Sequence, residues 1–172
     1  MEKAKDIPNP RHLENHVILI VAQSAANKGV MFDYLHGFGF KVLIADDGES
    51  ALAMAEMSRP DIILLDVILP GIDGFETCRR LKANKFTQNI PVIFITAMDG
   101  VVDKIRGFSL GAVDYITKPI QSEEVLARLR THLTMQDLQL SLEEKNLRLQ
   151  EEIIQREKLI AELDAFAHTV AH

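Results

Sequence analysis

Apolar residues fall in short blocks along the first 133 positions, separated by polar turn-formers. The first block, Val17-Ile18-Leu19-Ile20-Val21, predicts a strand. Residues 26–38 follow, with Met31, Leu35 and Phe38 at helical spacing. Phe40 to Ile44 predicts a second strand, and Glu49 to Ser58 a helix with an Ala/Leu face. Asp61 to Asp66 is a nearly continuous apolar run, the pattern of a strand buried on both faces of a parallel sheet. Gly74 to Lys85 reads as a helix with Phe75, Cys78 and Leu81 on one side. Pro91 to Thr96 predicts the fourth strand, and Val101 to Leu110 a helix stopped by Gly111. Val113 to Ile116 predicts a short fifth strand. A last helix starts near Ser122, with Glu123 and Glu124 placed to complement its positive end.

Five strands alternating with helices predict an α/β fold, a five-stranded doubly wound parallel sheet covered on both faces. Right-handed crossovers restrict its topology further. Three segments are expected: a flexible tail over 1–15, a compact domain over 16–134, and a helical extension over 135–172.

The extension has a different rhythm. From Gln121 onward there is no Gly or Pro, and charged residues alternate with Leu and Ile. One heptad frame fits, with Asn146, Ile153, Ile160 and Ala167 at a and Leu142, Leu149, Arg156, Leu163 and Val170 at d. Ile at a with Leu at d favours a parallel two-stranded coiled coil, and a single Asn at a fixes its register. A homodimer through this seam is therefore expected. Arg156 is a flaw in the seam, and Glu152 and Glu157, at g and e, would repel across it. A helix from Ser122 to Ala171 would reach about 75 Å, with too little domain to lie against. A single amphipathic helix packed on its own domain is the alternative.

Charge and composition narrow the function classes. The 172 residues carry a formal net charge of -6, which argues against nucleic-acid binding by this segment. Cys78 is the single cysteine, so no intrachain disulfide forms, and a buried thiol in a reducing cytoplasm is expected. Met1 to His16 lacks the apolar core of a signal peptide, and no run approaches about 18 apolar residues, so no membrane contact by this segment is expected. No Gly-x-Gly-x-x-Gly follows the first strand and no Gly-Lys-Ser/Thr is present, which disfavours a small nucleotide-binding enzyme.

Asp66 is the first candidate for chemistry. It ends a buried strand, and open α/β sheets bind ligands in the crevice outside the strand ends. Asp66 is followed by Pro70-Gly71-Ile72-Asp73-Gly74, Thr96-Ala97 ends the fourth strand, Lys118-Pro119 follows the fifth, and Tyr115 lies within it. With these four features in order, residues 17–133 resemble the receiver domain of two-component response regulators, whose fold is a flavodoxin-like doubly wound sheet. The resemblance implies that Asp66 is the phosphoacceptor, that Thr96 and Lys118 stabilise the transferring phosphoryl group, and that Tyr115 is an aromatic switch. It also implies a cis peptide before Pro119 and a metal bound by Asp66 and the Ile68 carbonyl. The chemistry suits these residue types, because charge building on the phosphoryl oxygens must meet cations and hydrogen-bond donors.

One part of the pattern is missing. The family ends its first strand with two acidic residues that hold Mg²⁺, and the matching positions here are Ala22 and Gln23. Alanine offers no ligand, and a neutral amide is a poor substitute for a carboxylate on a hard cation. Mg²⁺ is expected to bind weakly, and phosphorylation of Asp66 to be impaired. Asp46 and Asp47, after the second strand, are expected to point at the neighbouring loop.

The last residues, Glu162 to His172, resemble the start of a histidine kinase dimerisation and phosphotransfer helix, with His172 as the phosphoryl-accepting histidine. His168 and His172 share a face at a spacing that can bind metal, but no third ligand is nearby. The resemblances together imply the N-terminal receiver module of a dimeric, cytoplasmic histidine kinase that passes a signal through the coiled coil. This chain alone is not expected to be an enzyme, since it contains no ATP-binding segment. Its expected partners are a histidine kinase or another response regulator. A phosphorylatable response regulator controlling a different C-terminal output domain is the second reading.

Overall fold

The computed structural model describes residues 15–97 and 101–171. Contacts group the residues up to Leu133 in one unit and those from Thr134 onward in a second. The expected tail lies almost wholly outside the described residues.

The elements are β1 (Val17–Val21), α1 (Ala25–Gly37), β2 (Lys41–Ala45), α2 (Gly48–Ser58), β3 (Ile62–Asp66), α3 (Gly74–Ala83), β4 (Val92–Thr96), α4 (Val101–Ser109), β5 (Asp114–Thr117) and α5 (Ser122–Val170). All five strands pair in parallel, in the order β2-β1-β3-β4-β5. This is the doubly wound sheet the apolar blocks predict. The strand order reverses between β1 and β3, so a crevice opens beyond their carboxyl ends.

Alternation along the strands divides the core into two layers. Ile18, Ile20, Ile62, Leu64, Ile93 and Ile116 face Met31 and Leu35 of α1 and Val125, Leu129 and Leu133 of α5. Leu19, Val21, Ile63, Leu65, Val92 and Phe94 face Ala51 and Ala55 of α2 and Phe75, Cys78 and Leu81 of α3. Most of these side chains have no exposed surface. Each fully buried Leu, Ile or Val stabilises the fold by about 1.5–3 kcal/mol relative to exposure.

Local chemistry fixes the helix starts. Ser24, Asp47 and Asp73 cap α1, α2 and α3, each accepting a hydrogen bond from the backbone N–H three residues on. Each such cap is worth about 1 kcal/mol. Phe38 departs from the expected buried face. It follows the last residue of α1 and is 43% exposed, with the Arg130 guanidinium 5.3 Å from its ring centre. The helix ends before Phe38 can turn inward, and the Phe40 two residues later is buried instead.

Beyond Leu133, residues 134–170 are helical throughout. From Leu138 to Ala171 every residue is exposed, including the seam residues Leu142, Asn146, Leu149, Ile153, Ile160 and Leu163. Among the described residues, no helix is long and apolar enough to cross a membrane.

Candidate functional site

Three adjacent strands bring the candidate residues together. Asp66 is the last residue of β3, in register with Ile95 of β4. Thr96 ends β4, in register with Thr117 of β5, and Lys118 follows directly. The Lys118 backbone N–H donates to the Thr96 carbonyl at 2.7 Å. The Lys118-Pro119 peptide is cis.

The Lys118 ammonium donates to Asp66 Oδ2 at 2.7 Å. The other oxygen, Oδ1, accepts from the Ile68 backbone N–H at 3.1 Å. Asp66 is nearly enclosed, with a side chain 5% exposed, while that of Lys118 is 27% exposed. Thr96 is also buried, at 5%. A carboxylate and an ammonium thus meet at the strand ends, with the ammonium on the solvent side, and Thr96 ends the strand beside them.

The loop that shapes the crevice depends on two glycines. Gly71 has φ +76°, a conformation L side chains rarely adopt. Gly74, at the start of α3, packs so closely on the end of β3 that a Cβ there would collide with the Asp66 carbonyl oxygen. Its N–H donates to the Val67 carbonyl at 2.8 Å. The Pro-Gly-Ile-Asp-Gly run therefore turns the chain directly out of Asp66 into a capped helix.

On the other side of Asp66 lies the end of β1. Val21 pairs with Leu65, so Ala22 is level with Asp66. Ala22 is buried and Gln23 is exposed. Asp46 and Asp47, after β2, are engaged elsewhere. Asp46 pairs with Lys28 of α1, and Asp47 is committed to capping α2 through Ser50. Among the described residues, no group of three or more His, Cys, Asp or Glu could hold a metal ion. Of the side chains at these two strand ends, Asp66 brings one buried carboxylate, Ala22 no ligand atom and Gln23 only a neutral amide. That set fits Mg²⁺ poorly, because Mg²⁺ favours carboxylate oxygens in strict octahedral geometry.

Tyr115 sits beside the crevice in β5. The Lys104 ammonium lies 4.2 Å from its ring centre, and Phe108 packs edge-on at 5.8 Å. The ring also lines a small apolar cavity together with Val67, Phe75, Phe94, Thr96 and Gly107. The sequence offers little warning of this cluster. Lys104 and Phe108 are four residues apart, and only that helical spacing hints that they share a face.

A second polar cluster also went unforeseen. Arg128 donates to both oxygens of Asp114 at 2.9 Å, and His132 Nε2 lies 3.0 Å from Asp114 Oδ2. Burial pushes the Asp114 carboxyl up, but hydrogen bonds from His132, the Tyr115 N–H and Arg128 outweigh it and hold the group below its usual range. Arg128 and His132 are one helical turn apart, which is the signal that could have revealed the pair. His172 lies outside the described residues.

Comparison with known proteins agrees with this geometry. A profile of the response regulator receiver domain matches residues 18–130. The response regulator PleD of Caulobacter vibrioides is 47% identical over 114 residues, which is 66% of this chain and 25% of that protein. The transcriptional regulator RpaA of Synechocystis is 42% identical over 120 residues, 70% of this chain and 50% of that protein. The chain thus spans a quarter to a half of the length of these relatives. The solved receiver domain of a Pseudomonas aeruginosa sensor histidine kinase, with magnesium coordinated in its active site cleft, superposes with a TM-score of 0.65. It is 30% identical and covers 70% of this chain and 98% of its own. The receiver domain of a modulated diguanylate cyclase from Desulfovibrio desulfuricans superposes with a TM-score of 0.64 at 30% identity, covering 72% of this chain and 98% of its own.

Proposed function

The chain belongs to the response regulator receiver domain family, and from that premise we propose that it is a receiver whose phosphoryl chemistry is impaired and whose main work is docking and dimerisation. Two-component signalling is its setting. Asp66 is the phosphoacceptor position, Thr96 and Lys118 stabilise the phosphoryl oxygens, and Tyr115 is the switch residue. The observation that carries the reading is the direct contact between Lys118 and Asp66 beside a buried alanine at position 22. Attack by Asp66 requires a dianionic phosphoryl group to approach a carboxylate. Lys118 supplies one positive charge, and Thr96 one hydroxyl. With Ala22 and Gln23 in place of two carboxylates, no strong metal site adds to them, so acceptance of the phosphoryl group is slow.

The extended helix defines the output. Residues 135–172 pair with a second copy through Leu142, Asn146, Leu149, Ile153, Ile160 and Leu163, and lead into a histidine kinase phosphotransfer helix with His172 as its phosphorylated residue. A change in the receiver passes along the paired helices as a rotation or register shift. The parent protein is a histidine kinase that carries this receiver. The receiver of a sensor histidine kinase among the structural neighbours supports a kinase parent. The cyclase receiver favours a second reading, in which the same helix leads to a different output domain.

Titration with Mg²⁺, followed through tyrosine fluorescence and the amide shifts around Asp66, tests the site. The expected result is no saturable response through the millimolar range, and a saturable response once Ala22→Asp and Gln23→Asp are introduced together. Saturation of the unmodified chain at low millimolar Mg²⁺ would overturn the reading.

A further inference from the structure

We propose that Arg156 is the centre of an ionic layer in the paired helices, bridging Glu152 of its own helix and Glu157 of a second copy. The inference rests on the parallel coiled coil proposed above and explains how its weakest layer holds.

Leu149, Ile153, Ile160 and Leu163 are each more than half exposed and form an apolar seam on either side of position 156. In a parallel, in-register pair, a residue at g faces the e residue of the following heptad on the other helix. Glu152 therefore meets Glu157 of the second copy, and the same contact repeats on the opposite flank. Left alone, these like charges would push the helices apart where the seam also lacks an apolar d residue.

Arg156 changes that balance. It lies one turn after Glu152, the favourable i,i+4 order for an acid and a base on one helix. A d side chain also packs beside the e position of the facing helix, which here is Glu157. A guanidinium has five donors in a planar fork and can serve two carboxylates at once. Glu152 and Arg156 line one surface depression together with Gln155 and Leu159, so the acid and the base share a face of the helix. The surface is self-complementary, carrying both the acid and the base the other copy needs. The occupant is thus a second copy of this chain. The contact requires both helices to run the same way in one register, so the layer specifies alignment as Asn146 does at a.

Sedimentation equilibrium of the full chain tests the proposal with Arg156→Gln, Glu157→Gln and the double variant, at low and high salt. Circular dichroism checks that each remains helical. Arg156→Gln is expected to weaken dimerisation about tenfold at low salt, with a coupling to Glu157 of about fivefold or more that shrinks as salt screens it. Unchanged or tighter dimerisation in Arg156→Gln, or no coupling, would overturn the ionic layer. Ile153→Asp separates the two levels of the argument. If the unmodified chain is monomeric, or Ile153→Asp leaves it dimeric, the paired-helix reading itself fails. If Ile153→Asp dissociates the dimer while Arg156 and Glu157 show no coupling, only the ionic layer fails.

Discussion

Replacing Lys118 with methionine isolates the interaction at the heart of the crevice. The substitution keeps the apolar stem and removes the ammonium that meets Asp66 at 2.7 Å. Asp66 then remains buried at 5% exposure, with the Ile68 N–H as its described backbone donor. Stripping the partner from a buried ion pair costs about 3–5 kcal/mol. Here Lys118 is 27% exposed, so water enters on its side and the cost falls to about 2–3 kcal/mol. Asp66→Asn behaves differently, because the remaining ammonium can turn toward solvent. Its cost is about 1 kcal/mol or less. The double variant has no stranded charge and should unfold close to Asp66→Asn. Urea unfolding reads all four proteins. With a slope of about 1–3 kcal/mol per molar, Lys118→Met should lower the midpoint by about 1 M or more. Equal losses from the two single variants, or strict additivity in the double, would show that Asp66 does not depend on Lys118 for its burial.

Three further outcomes follow from other parts of the chain. Asp114 is held below the usual carboxylate range, so its stabilising contribution is present above the unfolded value, about 3.9, and is lost as pH falls through the folded value. Asp114→Asn should therefore cost about 1–2 kcal/mol at neutral pH and progressively less in acid, and a gap that ignores pH in denaturant unfolding would contradict this. Burial pushes the Cys78 thiol up to about 11, so iodoacetamide at pH 8 should label it only when the domain unfolds, and rapid labelling of the native protein would count against the packing of α3. Asn146→Ile should tighten association and broaden it beyond dimers, measured by sedimentation, whereas an unchanged dimer would place Asn146 outside the seam.

The fold was largely legible because the strands are short apolar runs and the helices carry capping residues at their starts. Element ends shifted where local propensity did not decide them. The run beginning at Asp61 illustrates this: β3 itself starts at Ile62, while the Asp61 carboxylate accepts the Val17 N–H at 2.7 Å across the sheet. A contact between residues 44 apart has no local signal. Asp66 was legible from its place at a strand end, and Thr96 and Lys118 from their spacing relative to it. Their convergence depends on β3, β4 and β5 being neighbours, which the topology supplies. The Asp114, Arg128 and His132 cluster was missed for the complementary reason. Charges at a strand start and on a helix read as solvated surface until packing brings them together. Along α5 the heptad frame was visible in the sequence, and the continuous helix is consistent with it, while pairing is a property of two copies.

Labelling with acetyl phosphate in excess Mg²⁺, followed by mass spectrometry of the Asp66 peptide, tests the central claim most directly. The chain carrying Ala22 and Gln23 should accumulate phosphoaspartate slowly or not at all, and the Ala22→Asp, Gln23→Asp variant should label much faster. Equal and rapid labelling of both would contradict the account, because phosphoryl transfer would then proceed at full rate without the acidic pair.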